Sequence, residues 1–85
     1  MFAVGYDQDR VNGFEQTGND RIEIDNALWE GNVNVTSRQS VIDEFGSLNP
    51  NGTILTLDFG NGDILEIQNS SGIDMSTFGN DLLTV

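Results

Sequence analysis

Apolar and polar positions alternate most regularly between Thr53 and Asn69, read as T-I-L-T-L-D-F-G-N-G-D-I-L-E-I-Q-N. Side chains alternate across a strand with period 2, so Leu55, Leu57 and Phe59 share one face of a first strand and Leu65 and Ile67 share one face of a second. The intervening Gly60-Asn61-Gly62 predicts a hairpin. A three-residue loop pairs Leu57 with Leu65 and Leu55 with Ile67, which puts both apolar sets on one face. A two-residue Asn61-Gly62 turn pairs Leu57 with Glu66 and mixes the faces. The three-residue loop, with Gly62 in the left-handed conformation, is therefore expected.

The remaining pattern is weaker. Phe2 to Tyr6 predicts a short strand, Asp7-Gln8-Asp9 a polar turn, and Arg10 to Phe14 a second short strand. Thr17-Gly18-Asn19-Asp20 reads as a turn. Arg21 to Asp25, R-I-E-I-D, places Ile22 and Ile24 on one face of a third strand. Ala27, Leu28 and Trp29 fit a helical turn over one end of the core, and the alternation of Asn32 to Thr36 predicts a short strand through Val33 and Val35. Ser37 has the side chain of a helix N-cap. Val41, Ile42 and Phe45 then share one side of a two-turn helix from Arg38 to Phe45, which Gly46 ends. Asn49-Pro50-Asn51-Gly52 is a turn. Ser70-Ser71-Gly72 breaks the hairpin, Asp74 to Phe78 predicts one helical turn capped by Asp74, and Asp81 to Val85 an edge strand. The expected fold is mainly β: short strands and a β-hairpin forming a β-roll cap or small sandwich, with one short helix, as a single domain over residues 1–85.

Composition narrows the function. The net charge is −11, and the cations are Arg10, Arg21 and Arg38, without lysine or histidine. Affinity for nucleic acid or anionic membrane rests on Lys and Arg, so neither is an expected partner. No segment is long and apolar enough to insert stably in a membrane, and no basic region followed by an apolar stretch marks a signal peptide. The chain lacks cysteine, so no disulfide framework supports its thin core. Without Cys or His the usual nucleophile–base pairs are missing, and an enzyme is not expected. The pair Asp43/Glu44 reads as the wet side of a helix.

Calcium is the one cofactor the composition favours. It takes oxygen ligands from carboxylates, amides and backbone carbonyls, and turns rich in Asp, Asn and Gly supply them. Asp7/Asp9, Gly18-Asn19-Asp20, Gly60-Asn61-Gly62-Asp63 and Gly79-Asn80-Asp81 are such turns, each by itself more often a plain turn than a calcium site. Asp9 with Asp20 is the preferred candidate pair, at the ends of strands expected to be neighbours.

Three segments in order resemble the C-terminal region of RTX-type type I secretion substrates, including the serralysin-like C-terminal domain. In F-A-V-G-Y-D-Q-D-R-V-N-G-F-E-Q-T-G-N-D-R-I-E-I-D, the positions of Asp9, Val11, Phe14, Gly18, Asp20, Ile22 and Asp25 approach the spacing D-x-I-x-D-F-x-x-G-x-D-x-I-D-L. The hairpin L-D-F-G-N-G-D-I-L-E-I is similar to the F-G-x-G-D-x-L-x-L hairpin of that class. The last segment, I-D-M-S-T-F-G-N-D-L-L-T-V, resembles its acidic-then-apolar C-terminal element. There are departures. No complete G-G-x-G-x-D-x-U-x repeat is present, and Gly13 stands where the pattern has an Asp before Phe14.

The resemblance implies a cap that blunts the open end of upstream RTX β-roll repeats, with Trp29, Phe45 and Phe78 as covering side chains. It implies a secretion signal in Asp81, Leu82, Leu83, Thr84 and Val85, read by a type I (ABC) exporter from an unfolded chain. It further implies an extracellular destination, with calcium folding the attached repeats outside the cell. From charge alone the competing expectation is an acidic β-rich interaction domain for a basic protein partner, through exposed Glu15, Glu23, Glu30 and Glu44.

Overall fold

A computed structural model of the chain describes residues 5, 8–15, 20–60 and 62–84. The expected strand at Phe2 to Tyr6, but for Gly5, and the turn residues Thr17 to Asn19 lie outside these residues.

The strands are β1 (Gln8–Val11), β2 (Ile22–Ile24), β3 (Gly46–Leu48), β4 (Ile54–Asp58), β5 (Ile64–Gln68) and β6 (Leu82–Thr84), with one α-helix, α1 (Arg38–Phe45). A 3-10 turn spans Asn26–Trp29 and a second spans Phe78–Asp81. The strands form a mixed four-stranded sheet in the order β1-β5-β4-β3 and a separate two-stranded sheet of β2 and β6. The chain is thus β-rich with one helix.

The hairpin has the register that its apolar pattern requires. Leu57 aligns with Leu65 and Leu55 with Ile67, and all four side chains are buried. At the turn the Phe59 N–H donates to Asp63 O at 2.9 Å and the Asp63 N–H to Gly60 O at 3.0 Å. That leaves a three-residue loop in which Gly62 has φ +84°, a conformation that costs glycine little.

Helix α1 also begins and ends where its residues predict. Ser37 Oγ accepts the Ser40 N–H at 3.2 Å, and Ser40 Oγ accepts the Ser37 N–H at 2.8 Å, a reciprocal cap. Gly46 ends the helix without turning left-handed. Its φ is −87°, and the chain runs straight into β3, a strand that the single apolar residue Leu48 did not announce. Glycine is needed there for space, because a Cβ would lie 2.5 Å from Ile42 O.

Two strands differ from expectation. Asn32 to Thr36 is a series of turns: the Asn32 N–H donates to Trp29 O at 2.9 Å and the Asn34 N–H to Asn32 Oδ1 at 2.9 Å. Asparagine side chains offer the backbone local partners that compete with a ladder, and Val33 is left 87% exposed. The strand expected at Arg10 to Phe14 lies earlier, at Gln8–Val11, and takes in two residues of the expected polar turn. It pairs in parallel with β5, from Gln8 opposite Ile64 to Val11 opposite Ile67. Main-chain pairing at an edge asks little of side-chain pattern, so three of its four side chains are exposed.

One core joins the two sheets. Leu55, Leu57, Leu65 and Ile67 from the hairpin meet Val41 and Ile42 from α1, Ile22 and Ile24 from β2, Leu82 from β6, and Phe14 and Phe78. Each such burial contributes about 2 kcal/mol, so the hairpin is the largest single contributor. Helix α1 packs against both β4 and β6, which ties the C-terminal strand to the hairpin.

Candidate functional site

The parallel pairings arrange the residues of interest. Strands β1 and β2 follow one another in the chain yet lie in different sheets. β1 pairs in parallel with β5, and β2 pairs in parallel with β6, Ile22 opposite Leu82 and Ile24 opposite Thr84. Among the described residues, the outer edges of both β1 and β2 carry no further strand. Among the described residues neither edge has a ladder partner on that side, and an edge of this kind is the ordinary template for another strand.

The proposed metal ligands sit on these two elements but in different surroundings. Asp9 is an exposed residue of β1 whose Oδ1 accepts the Arg10 N–H at 2.8 Å. Asp20 is exposed before β2, and its Oδ2 accepts the Glu15 N–H at 3.0 Å. The strands that carry them are not neighbours in one sheet. Among the described residues, no group of three or more carboxylates is gathered as a metal would need. Two separate carboxylates supply fewer than the six to eight oxygens that calcium takes, about 2.4 Å away, so an ion here needs ligands from another segment.

The C-terminal segment is built into the fold. Asp81 belongs to the second 3-10 turn rather than to a strand, and its side chain is only 10% exposed, 3.5 Å from Arg21 Nη1. Burial pushes its carboxyl above the usual range, with the Arg21 charge pulling the other way. Leu82 is fully buried, and its carbonyl accepts from Arg38 Nη1 at 3.2 Å. Leu83 faces outward, 49% exposed. Thr84 aligns with Ile24, and Val85 lies outside the described residues. Two of the three cations of the chain therefore fasten adjacent residues, Asp81 and Leu82. Their scarcity in so acidic a chain was the one signal in the sequence that pointed to them.

Gln39 secures the same region. Its Nε2 donates to Met75 O at 2.6 Å, and its Oε1 accepts the Gly79 N–H at 2.8 Å. Gly79 packs so closely that a Cβ would lie 2.5 Å from Gln39 Cα. Nothing in the sequence identified Gln39, since a lone polar residue on a helix reads as solvated surface.

The aromatic side chains expected to cover one end divide into two groups. Trp29 and Phe45 flank Phe59 beside the hairpin turn, with ring centroids 6.0 and 4.9 Å from it. Phe78 instead stacks on Phe14 at 5.4 Å, where it links the end of β1 to the turn that precedes β6. The helical turn expected from Asp74 to Phe78 lies later, at Phe78–Asp81, with Thr77 rather than Asp74 at its start. Asp74 instead holds a plain turn, where its Oδ1 accepts the Ser76 N–H at 3.0 Å and the Ser76 hydroxyl at 2.6 Å, and these bonds hold its carboxyl below the usual range.

Comparison with family models, with curated proteins and with solved structures found no match. Among the described residues, no helix is long and apolar enough to cross a membrane.

Proposed function

We propose that this chain caps a calcium-associated parallel β-roll of an RTX-like exported protein and carries, in Asp81 to Val85, the segment read by a type I exporter. One observation supports the cap above the others. Consecutive strands β1 and β2 lie in two different sheets, each paired in parallel on one side and open on the other among the described residues. In a parallel β-roll, consecutive strands alternate between two sheets in the same way. A preceding coil would add one strand to β1 and one to β2 and continue both sheets without reversing direction. The array would then end with this chain, whose last strands are β3 in one sheet and β6 in the other.

Calcium in this reading would be held largely by the upstream repeats, and Asp9 and Asp20, both exposed, would add carboxylate oxygens only together with ligands from those repeats. The signal reading requires the C-terminal segment to be free of the fold when it is read, because Asp81 and Leu82 are buried in the folded chain. Recognition would precede folding, and the destination would be outside the cell. The exposed carboxylates of Glu15, Glu23, Glu30 and Glu44 support the second reading, an acidic β-rich domain for a basic partner.

An export assay tests the signal. Residues 1–85 are fused behind a slow-folding reporter in cells with a type I exporter, beside the same fusion ending at Asn80. Export that disappears with the last five residues supports the reading. Retention of the intact fusion with two different exporters, each of which exports its own substrate, contradicts it and turns attention to basic partners.

A further inference from the structure

Two Asn-Gly pairs fall wholly within the described residues, Asn12-Gly13 and Asn51-Gly52, and the fold treats them differently. Asparagine before glycine is chemically labile because no side chain shields the glycine nitrogen from the asparagine carboxamide. What remains to protect such a pair is the restraint on that nitrogen. Gly52 is restrained on both sides: its N–H donates to Asn49 O at 3.0 Å, and its carbonyl accepts the Ile73 N–H at 2.8 Å. Asn49 Oδ1 tightens the same loop by accepting the N–H groups of Thr53 and Ile54 at 2.8 and 2.9 Å. Gly13 has none of this. Asn12 and Gly13 are both exposed, the Gly13 N–H has no partner among the described residues, and a Cβ on Gly13 would meet nothing within 4 Å.

We infer that Asn12 is a site of spontaneous deamidation in the folded protein and that Asn51 is protected. The Gly13 backbone nitrogen gives its proton to solvent base and bonds to Asn12 Cγ. The bond from Cγ to the side-chain nitrogen breaks, and ammonia leaves with a proton from water. Water then opens the resulting succinimide at either carbonyl, leaving aspartate or isoaspartate at position 12.

The position gives the change a consequence. Asn12 and Gly13 connect Val11, the last residue of β1, to Phe14, whose N–H donates to Gln68 O at 3.0 Å. The Phe14 ring is buried against Phe78. Aspartate at position 12 adds one negative charge to an exposed loop. Isoaspartate adds a carbon to the main chain between two anchored residues, and so loosens the end of β1 and the Phe14–Phe78 contact.

Trypsin makes the test direct, because cleavage after Arg10, Arg21 and Arg38 puts Asn12 in the peptide 11–21 and Asn51 in the peptide 39–85. The folded protein and the urea-unfolded protein are held at mildly alkaline pH, and deamidation is localised over time by fragment mass spectrometry. Asn12 is expected to react several-fold faster than Asn51 in the folded protein, and the two rates to converge in urea. Equal rates in the folded protein, or an unchanged ratio in urea, overturns the inference. The aged protein is then melted beside Asn12→Asp, which carries the charge without the extra carbon. A lower midpoint for the aged isoaspartate form is expected; equal midpoints overturn the backbone consequence.

Discussion

Leu55 and Leu82 are both fully buried, but they reach the core by different routes. Leu55 belongs to a hairpin whose strands are joined by a three-residue loop and matched side chain to side chain. Leu82 belongs to a parallel pair whose partners, Ile22–Ile24 and Leu82–Thr84, are far apart in the chain, and only three residues of each strand take part. Closing a short loop costs little chain entropy, whereas a long-range pair must first bring distant segments together. The hairpin therefore holds its own register. The β2–β6 pair depends on fasteners from elsewhere: Arg21 on Asp81, Arg38 on the Leu82 carbonyl, and Gln39 on Met75 and Gly79. A strand secured by a few polar bonds is easier to release than one that anchors the core, which suits a segment proposed to act while unfolded.

The largest loss of stability is expected from a charge on the hairpin's buried face. Leu57→Asp puts an unpaired carboxylate on the buried face, a cost of several kcal/mol against a total stability of about 5 kcal/mol for a domain this small. The expected result is loss of any cooperative urea transition; a cooperative transition would contradict the register. Next come Leu55→Ala and Leu82→Ala, each expected to cost about 2–5 kcal/mol but with different reach. Amide exchange should rise throughout the chain for Leu55→Ala. For Leu82→Ala it should rise chiefly in residues 22–24 and 82–84, while the hairpin amides stay protected. Uniform loss of protection in both variants would mean that the C-terminal pair is no weaker a unit than the hairpin.

Gly79→Ala acts on a fastener alone and leaves the hairpin intact. Its methyl group would press on the Gln39 backbone, and crowding of this kind costs about 1–3 kcal/mol. A lowered urea midpoint with the α1 amides near Gln39 exposed is expected, and a midpoint equal to that of the parent would contradict it. The smallest effect belongs to Asp81. Its carboxyl is raised in the folded protein, so the folded state binds more protons than the unfolded state just above the usual carboxylate range. Its contribution is complete below that range and is lost as pH rises through the raised value. Asp81→Asn should flatten that part of the stability–pH curve, as read from urea midpoints across mildly acidic pH. An unaltered slope would assign the pH dependence to other groups.

What could be read from the residues follows the same division. The hairpin, its loop, the Ser37 cap and the strand through Ile22 and Ile24 rest on neighbours in sequence, and each stands where its pattern predicted. The strand β1 shifted toward Gln8 because its partner β5 lies far along the chain and its pairing is main-chain only. Asn32 to Thr36 alternates like a strand yet forms turns, because the asparagine bonds that replace a ladder leave no mark on the apolar pattern. Among the site residues, the strand at Leu82 was anticipated, but the burial of Asp81 was not. It depends on Arg21 and the second 3-10 turn, which no local pattern joins.

If β1 and β2 offer their open edges to a preceding parallel coil, amide exchange on those edges reports it. Residues 1–85 alone are compared with the same residues placed behind an array of calcium-binding β-roll repeats, with calcium present in both cases. Amides of Gln8–Val11 and Ile22–Ile24 that exchange freely in the isolated chain should become protected together when the repeats are attached, and chelating calcium should remove the added protection. Equal exchange at both edges with and without the repeats would contradict the cap.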